Sequence, residues 1–508
     1  MSTAANVISP TDGRTGQAAW LALANLVSFG MTLVMSAILS RNMPAAEYGT
    51  FRQVLYVYGT LLTLFSLGLP KAYSYFLARI PIAEGRHAVR KLNFIVTALA
   101  SVFAVVLFFG SDLIADMMGN PPLGGSLRLF AIVPVMLMPV LGVESILTVY
   151  GMARKVVLYV TVSRTFTVIC TVLPVTLLGM GLKGAVTGLV VSSILTCMVG
   201  IYLSSTPFRG VDGDSRCCRL TVKEILRFAM PVFYSGIYGF IIGSASQFFV
   251  SRYFGVTDFA IFANGYHELP FASMVIGAVA GTMLPEFSRM SNEGKGSAEF
   301  LKIWKNVVVK SSMIIYPLSI FSVAFAPEII AFLYGDGYSR SATLFRIVTI
   351  VNLTRIVPYW PLLFAVGKGR LFADSHLVTA ILLVGLQLLC VNLFPSIEAI
   401  AIIASSCTVF CLALMLRGIA NTLQVDIVGI MPWAHLSKIF ALAAISVIPS
   451  KLATNLVGSE SSLISLIAGL IVFAAILIPT SRLIGINYGS LTKSLSLSNQ
   501  YRENKILN

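Results

Sequence analysis

Several side chains that carry a charge, an amide or an imidazole lie within or at the ends of long apolar segments of this chain. Such groups are costly to place in a bilayer, so their presence there indicates a function. An arginine fork matches the oxygens of a phosphate, and amides add further hydrogen bonds. We therefore predict a cavity that binds an anionic substrate, with these candidate residues: Arg41, Arg52, Arg164, Arg252, Asn264, His267 and Glu268.

Two of these arginines, Arg41 and Arg252, follow a serine at equivalent ends of two apolar segments. Each either faces the cavity or anchors its helix at the membrane surface, with Glu47 or Asp258 as its ion partner. Both acids also suit the start of the next helix, where a negative charge meets the positive end of the helix dipole. The sequence leaves both interpretations open.

Two further arginines lie inside predicted helices. Arg52 either snorkels to the interface or faces the cavity, and we favour the cavity because Gln53 gives that stretch a polar face. Arg164 is placed deeper in its helix, where it binds a phosphate or pairs with Glu144 of the preceding helix.

A histidine and a carboxylate adjoin one another at His267 and Glu268, with Asn264 one turn earlier in the same predicted helix. These residues either line the cavity or pack inside the bundle. A protonatable pair of this kind also suits coupling to a proton gradient, which we regard as a secondary hypothesis.

Patterns typical of enzymes and of metal or nucleotide sites are missing. Gly367-Lys368-Gly369 lacks the rest of a phosphate-binding Walker A loop, and no His and Cys residues have the spacing of metal ligands. The net charge of +15 is scattered between apolar segments rather than gathered in a basic arm with aromatic residues. We therefore expect no enzymatic activity, no cofactor, no metal, no nucleic-acid partner and no disulfide framework.

The elements that position these residues are membrane helices. Hydrophobic residues make up 57% of the chain and charged residues only 11%, against about 25% charged in soluble proteins. Runs of roughly 20 apolar residues, the length that crosses a bilayer, predict an all-α polytopic membrane protein with about 14 transmembrane helices. They are expected at 17–40, 50–69, 92–110, 126–150, 157–180, 184–205, 226–250, 260–283, 307–327, 341–366, 375–394, 398–420, 434–454 and 462–484.

The distribution of Lys and Arg predicts the orientation. Alternate loops are rich in these residues, for example 71–91, 209–223 and 289–305, whereas the loops between them carry mostly single charges. The positive-inside rule makes the rich loops cytoplasmic. Both termini are then cytoplasmic, which agrees with an even number of helices.

An internal repeat with an offset of about 210–216 residues organises these helices. The matching segments are 40–49 with 251–260, 112–119 with 328–335, 129–133 with 344–348, and 151–154 with 367–370. Six helices fit in each copy, so the copies share one orientation and form two six-helix lobes in parallel repeat plus a C-terminal helix pair. The predicted divisions are a cytoplasmic tail at 1–16, an N-terminal lobe at 17–206, a cytoplasmic loop at 207–225, a C-terminal lobe at 226–420, helices 13–14 at 434–484 and a cytoplasmic tail at 485–508.

Three stretches resemble the polysaccharide (O-antigen-type) flippases of the multidrug/oligosaccharidyl-lipid/polysaccharide exporter superfamily. They are Ser40-Arg41 through Leu67-Gly68-Leu69, the start of helix 7 at 226–231, and the loop between helices 9 and 10 at 326–338. The resemblance implies a cationic cavity lined by helices 1, 2, 7 and 8. Arg41, Arg52, Arg252, Asn264 and His267 lie on those helices.

The resemblance also implies an activity. The protein would move an undecaprenyl-diphosphate-linked oligosaccharide across the bacterial inner membrane by alternating access, for the assembly of a surface polysaccharide such as lipopolysaccharide or exopolysaccharide. Its partners would be this lipid-linked oligosaccharide, membrane lipids and other polysaccharide assembly proteins. Two alternatives stay open: a multidrug or lipid II-type exporter of the same superfamily, and a membrane-embedded polysaccharide polymerase or ligase, which should carry a large loop at the water interface.

Overall fold

The computed structural model describes residues 14–209, 220–267, 269–457, 461–486 and 488. Almost all of the two predicted tails, and residues 210–219 of the predicted loop between the lobes, lie outside the described residues. Throughout the described part the chain forms helices and turns, with no strand, as the all-α prediction requires.

The α-helices of the described residues are numbered here in chain order. The first ten are α1 (Arg14–Asn42), α2 (Ala45–Phe65), α3 (Leu69–Leu77), α4 (Ile82–Phe109), α5 (Ser111–Met117), α6 (Pro122–Phe130), α7 (Val133–Leu137), α8 (Val143–Val149), α9 (Ala153–Thr176) and α10 (Gly181–Ser205). The next seven are α11 (Val222–Phe254), α12 (Val256–Gly265), α13 (Pro270–Asn292), α14 (Ser297–Ala324), α15 (Ala326–Tyr334), α16 (Ser341–Ile350) and α17 (Trp360–Ala365). The last five are α18 (Gly369–Leu393), α19 (Ile397–Leu423), α20 (Ile427–Ile430), α21 (Trp433–Val457) and α22 (Ser462–Leu483).

The chain is a multi-pass membrane protein. Eleven helical segments of the described part are long and apolar enough to cross a bilayer, or twelve if the bent pair α2 and α3 forms one span. Large apolar side chains such as Phe94, Phe109 and Leu456 are mostly exposed on these helices, at 73%, 79% and 88%. A soluble protein does not expose so many large apolar groups together, whereas the hydrocarbon of a bilayer covers them.

Each of the fourteen predicted segments coincides with a helix or a broken helix. Three predictions of a continuous helix are wrong. The segment 126–150 is divided among α6, α7, a 3₁₀ turn and α8; 260–283 is divided between α12 and α13; and 341–366 is divided among α16, a 3₁₀ turn and α17.

Proline explains these breaks, because it has no backbone N–H and restricts the residue before it. At the second break, Pro270 follows Leu269, which is held in extended backbone with φ −67° and ψ 143°. Pro134 and Pro139 lie in the first broken segment, and Pro358 lies in the third.

The repeat found in the sequence has a counterpart in the order of the helices. With the offset of the repeat, α4, α5, α9 and α10 correspond to α14, α15, α18 and α19. Matched glycines also share a positive φ: it is +67° at Gly119 and +84° at Gly335, and +74° at both Gly151 and Gly367. These φ values favour glycine. The turn at Gly151 recurs at Gly367, because each glycine N–H donates to the carbonyl oxygen three residues earlier.

The chain divides into two compact units, which are described separately. Unit 1 comprises Met1–Ala263 and Val391–Ile397, and unit 2 comprises Asn264–Cys390 and Glu398–Asn508. In unit 1, a buried cluster around Val143, Val156 and Tyr159 joins α8, α9 and α10. In unit 2, a larger cluster around Phe287, Trp304 and Tyr359 extends to α21 and α22. The lobe boundaries given by the sequence, 17–206 and 226–420, stay a prediction.

Candidate functional site

A cavity of about 500 Å³ lies between α2 and α11 in unit 1. Its volume falls in the range of about 300–1,000 Å³ that small-ligand sites occupy. Its wall combines one cation with hydroxyls, an amide, a phenol and three glycines. The lining residues are Arg52, Leu55, Tyr56, Gly59, Thr60, Thr63, Gly236, Phe240, Gly243, Ser244 and Gln247.

The Arg52 side chain contributes the charge of this cavity. One terminal N–H group donates to the carbonyl oxygen of Ala263 at 2.7 Å, and the other donates to the Ser36 hydroxyl at 3.3 Å. These two bonds hold the guanidinium in one orientation, and its remaining N–H groups are available to a ligand. An arginine fixed in this way suits a phosphate oxygen better than a freely moving cation does.

The aromatic wall of the cavity is equally fixed. The Tyr56 hydroxyl donates to the carbonyl oxygen of Ser244 at 2.9 Å, which ties α2 to α11. The Tyr56 ring meets Phe259 edge to face, with 5.8 Å between the ring centroids. One face of the cavity therefore has an ordered ring, which is the kind of surface on which a sugar can pack.

Glycine makes the cavity wide. A Cβ atom added at Gly59, Gly236 or Gly243 would meet no atom within 4 Å, so open space lies beside each of these backbones. The sequence contained a signal for this face that the prediction missed. Positions 236, 240, 243, 244 and 247 of α11 are lining residues, and their spacing of three and four residues places them on one side of a helix.

Gln53 does not contribute to this cavity, contrary to the reason given for placing Arg52 there. Its side chain is fully buried, and its amide donates to the Ser251 hydroxyl at 2.7 Å. Its carbonyl oxygen accepts from Asn120 at 2.5 Å, and Asn120 also donates to the Thr50 hydroxyl at 2.9 Å. This buried network connects α2 with α11 and with the turn before α6. Gln53 therefore has a structural role, in holding these elements together.

The two arginines at helix ends occupy different surroundings from Arg52. Arg41 lies exposed in the last turn of α1. Arg252 is exposed near the end of α11 and donates to the carbonyl oxygen of Asp116 at 2.8 Å. Glu47 accepts the backbone N–H of Leu182 at 2.7 Å, at the beginning of α10. Glu47 and Asp258 also lie in the first turn of the next helix, α2 and α12, where the prediction placed a negative charge at the positive end of a helix dipole.

Arg164 lies on α9 and is not among the residues that line the cavity. It interacts electrostatically with Glu144 of α8, and Tyr58 and Tyr159 are close to the same charge. No salt bridge within 4.0 Å joins Arg164 to Glu144 among the described residues, so this pairing, which the sequence left open, stays a prediction. The structure does not bring Arg164 to the wall that contains Arg52.

The last three candidates fall at the beginning of unit 2. Asn264 is 1% exposed, near the end of α12. His267 was predicted two turns inside a continuous helix, and this is wrong: it lies in the break between α12 and α13 that Pro270 imposes. Glu268 lies outside the described residues, so the predicted His and Glu pair stays a prediction.

The described residues contain no group of three or more His, Cys, Asp or Glu side chains placed as metal ligands. The wall of the cavity offers one fixed cation, several hydroxyls, one amide and two aromatic rings, those of Tyr56 and Phe240. Together these groups can bind an anion that carries polar and ring-shaped groups.

Comparison with known proteins adds the family and the fold. The model of the family described as polysaccharide biosynthesis protein matches residues 16–291, more than half of the chain. A succinoglycan biosynthesis transport protein, ExoT of Rhizobium meliloti (strain 1021), is 24% identical over 376 residues, which cover 73% of each chain.

Two solved structures show the fold. A lipid II flippase, MurJ, in an inward closed conformation superposes with a TM-score of 0.64 at 14% identity, over 91% of this chain and 99% of that one. An inward-facing multidrug resistance MATE family transporter of the MOP superfamily gives a TM-score of 0.63 at 14% identity, over 78% and 94%. At these identities the similarity concerns the fold alone.

Proposed function

The chain belongs to the polysaccharide biosynthesis protein family, and from that premise we propose that it is a flippase for a lipid-linked oligosaccharide. The substrate is an undecaprenyl-diphosphate-linked oligosaccharide. It moves from the cytoplasmic to the periplasmic leaflet of the bacterial inner membrane, for surface polysaccharide assembly. No covalent bond is made or broken in this movement, so the activity is transport and not catalysis.

The observation that carries this proposal is the fixed guanidinium of Arg52 in the cavity between α2 and α11. A diphosphate has to leave water to cross the bilayer, and an anion in a low-dielectric region needs a positive partner with matched hydrogen bonds. Arg52 supplies both. The hydroxyls of Thr60 and Thr63 and the Tyr56 ring are suited to sugars.

Two relatives support the substrate class without defining it. The Rhizobium meliloti relative is by its name a transport protein of succinoglycan biosynthesis, and the MurJ structure is that of a lipid II flippase. Because the family and the Rhizobium meliloti relative are both named for polysaccharide biosynthesis, we favour a lipid-linked glycan over a drug as substrate.

The proposal includes an architecture. We propose fourteen spans, as two six-helix lobes in parallel repeat with helices 13 and 14 added at the C-terminus, both termini cytoplasmic. Twelve of these spans are the candidates counted above, with α2 and α3 taken as one span. The other two are α11 and the broken segment from α16 to α17. The two lobes alternate in exposing their shared substrate path to each side. Arg41, Arg252, Asn264, His267 and Glu268 remain proposed contributors to this path, and Arg164 remains a candidate phosphate ligand outside the cavity wall that contains Arg52.

The direct test is transport by the purified protein in vesicles. Wild-type protein is reconstituted with undecaprenyl-diphosphate oligosaccharide, and the fraction accessible to an external glycosidase is followed with time. Arg52→Gln should slow the transfer at least about tenfold, because a hydrogen bond to a charged group contributes about 1.5–3 kcal/mol.

Arg90→Gln is the matched control, since Arg90 is an exposed arginine of α4 that does not line the cavity. It should transport at the wild-type rate. Wild-type transfer no faster than in protein-free vesicles would overturn the proposed function. Equal rates for the Arg52 and Arg90 variants would remove Arg52 from it.

A further inference from the structure

The cavity that contains Arg52 continues past the end of α2. A second cavity of about 170 Å³ shares Thr63, Gly236 and Phe240 with the first, so the two form one cleft along α11. The second cavity is also lined by Ser66, Gly68 and Lys71, among others. The cleft therefore has an arginine in one part and a lysine in the other.

A strained turn places this lysine in the cleft. α2 and α3 meet at an angle of 47°, and the turn between them holds Leu67 at φ +46° and Gly68 at φ +70°. A leucine in this left-handed region is uncommon, because its Cβ crowds the backbone. The turn redirects the chain so that Lys71, in the first turn of α3, lines the second cavity.

Among the described residues the side-chain ammonium of Lys71 has no hydrogen-bond or ion-pair partner, and the side chain is exposed. The backbone N–H of Lys71 donates to the carbonyl oxygen of Gly68. No Asp or Glu is among the described residues that line either cavity. A cleft with two cations and no anion in its wall is complementary to an anionic ligand.

We propose that Lys71 forms a second phosphate-binding position, at the end of the cleft opposite Arg52. The ligand is the phosphate group of a membrane-bound phosphate ester. Arg52 and Lys71 are 19 residues apart in sequence, and at about 1.5 Å per helical residue one diphosphate cannot contact both. The two positions are therefore occupied in succession.

This inference deepens the proposed function and rests on it for the identity of the phosphate ester. The positive-inside rule places Lys71 at the cytoplasmic side, where the substrate is made. Lys71 is then the first cation that the diphosphate meets, and Arg52 the second. An anionic phospholipid headgroup has the same chemistry, so the test has to separate these two sources.

The experiment measures equilibrium binding to the purified full chain in neutral detergent. The starting protein is Arg52→Gln, in which Lys71 is the remaining cation of the cleft wall. A second variant adds Lys71→Gln, and a control adds Arg90→Gln. Two probes are titrated separately: a short-chain polyprenyl diphosphate and a short-chain phosphatidylglycerol. Because the side-chain ammonium of Lys71 has no described partner in the protein, replacing Lys71 should leave the thermal unfolding temperature unchanged.

We expect Lys71→Gln to weaken binding of the polyprenyl diphosphate about tenfold, as the loss of one charged hydrogen bond predicts, and Arg90→Gln to leave it unchanged. If only phosphatidylglycerol binding weakens, the position exists and belongs to phospholipid headgroups. Unchanged binding of both probes would overturn the inference. Because binding is measured without transport, that outcome is distinct from a failure of the proposed function, which the vesicle assay reports.

Discussion

A substitution that fills the cavity without destabilising the fold separates an effect on transport from an effect on stability. Gly243 and Gly59 face the cavity, and a Cβ at either position would meet no atom within 4 Å. A leucine at either position therefore enters open space. Few glycines in a packed protein can be replaced by leucine without a steric clash, since interiors are normally filled.

The magnitude follows from the cavity volume. A leucine-sized cavity in a protein core measures about 150 Å³, and the cavity here is about 500 Å³. Gly243→Leu should therefore remove roughly 30% of the space, and the Gly59→Leu, Gly243→Leu double variant roughly 60%. In the helix interior, replacing glycine by a good helix former also stabilises by about 0.5–1 kcal/mol.

The two expected effects have opposite signs. In the vesicle assay, Gly243→Leu should slow transfer of the lipid-linked oligosaccharide severalfold, and the double variant should abolish it. The thermal unfolding temperature of both should equal or exceed that of the wild type.

Gly385→Leu is the control, because Gly385 lies inside α18, faces equally open space and is absent from the cavity wall. It should transport normally. Wild-type transfer by the double variant would refute the assignment of this cavity to the substrate path. Slow transfer by Gly385→Leu would show that the effect is not specific to the cavity.

Further predictions concern helix contacts and pH. Gly49→Ala should lower the thermal unfolding temperature in detergent, because its Cβ would overlap the backbone carbonyl of Val256 and overpacking costs about 1–3 kcal/mol; an unchanged temperature would show that the two segments can separate freely. Lys451 donates to Glu328 at 2.5 Å, so Lys451→Gln should destabilise unit 2, and adding Glu328→Gln should restore much of the loss. Hydrogen bonds from Thr221, the cap residue of α11, hold the pKa of Glu224 below its ordinary value. The stability that the ionised Glu224 contributes should therefore be present above about pH 4.3 and be lost as the pH falls through the lowered pKa. Glu224→Gln should remove this pH dependence of the thermal unfolding temperature.

The sequence contains enough to predict where helices form, but not where they break. Apolar runs report burial in lipid, and they continue through Pro134, Pro270 and Pro358 because a proline changes hydropathy little. The backbone consequence of proline is local and specific. His267 was misplaced for this reason: the apolar pattern of its segment is continuous, and Pro270 still interrupts the helix.

Which side chains meet in the cavity depends on contacts between distant helices. The partners of Arg52 are Ser36 of α1 and the Ala263 carbonyl of α12, and no local pattern around Arg52 identifies them. Gln53 illustrates the limit: adjacent residues on a helix are about 100° apart, so Gln53 points into the buried network while Arg52 lines the cavity.

The glycine and polar face of α11 is predictable from its helical spacing. Gly236, Gly243 and Gln247 recur on one side of the helix. The prediction selected charged residues inside apolar segments. Glycines and a glutamine carry no charge, so this face of α11 was missed.

Photocrosslinking tests most directly whether the lipid-linked oligosaccharide occupies the cleft between α2 and α11. A photoreactive amino acid is placed at Gly59, which lines the cavity, or at Phe94, which is 73% exposed on α4. Vesicles contain radiolabelled undecaprenyl-diphosphate oligosaccharide. We predict crosslinking from position 59 that unlabelled substrate suppresses, and only unsuppressed background from position 94. Equal, unsuppressed labelling from both positions would contradict the account.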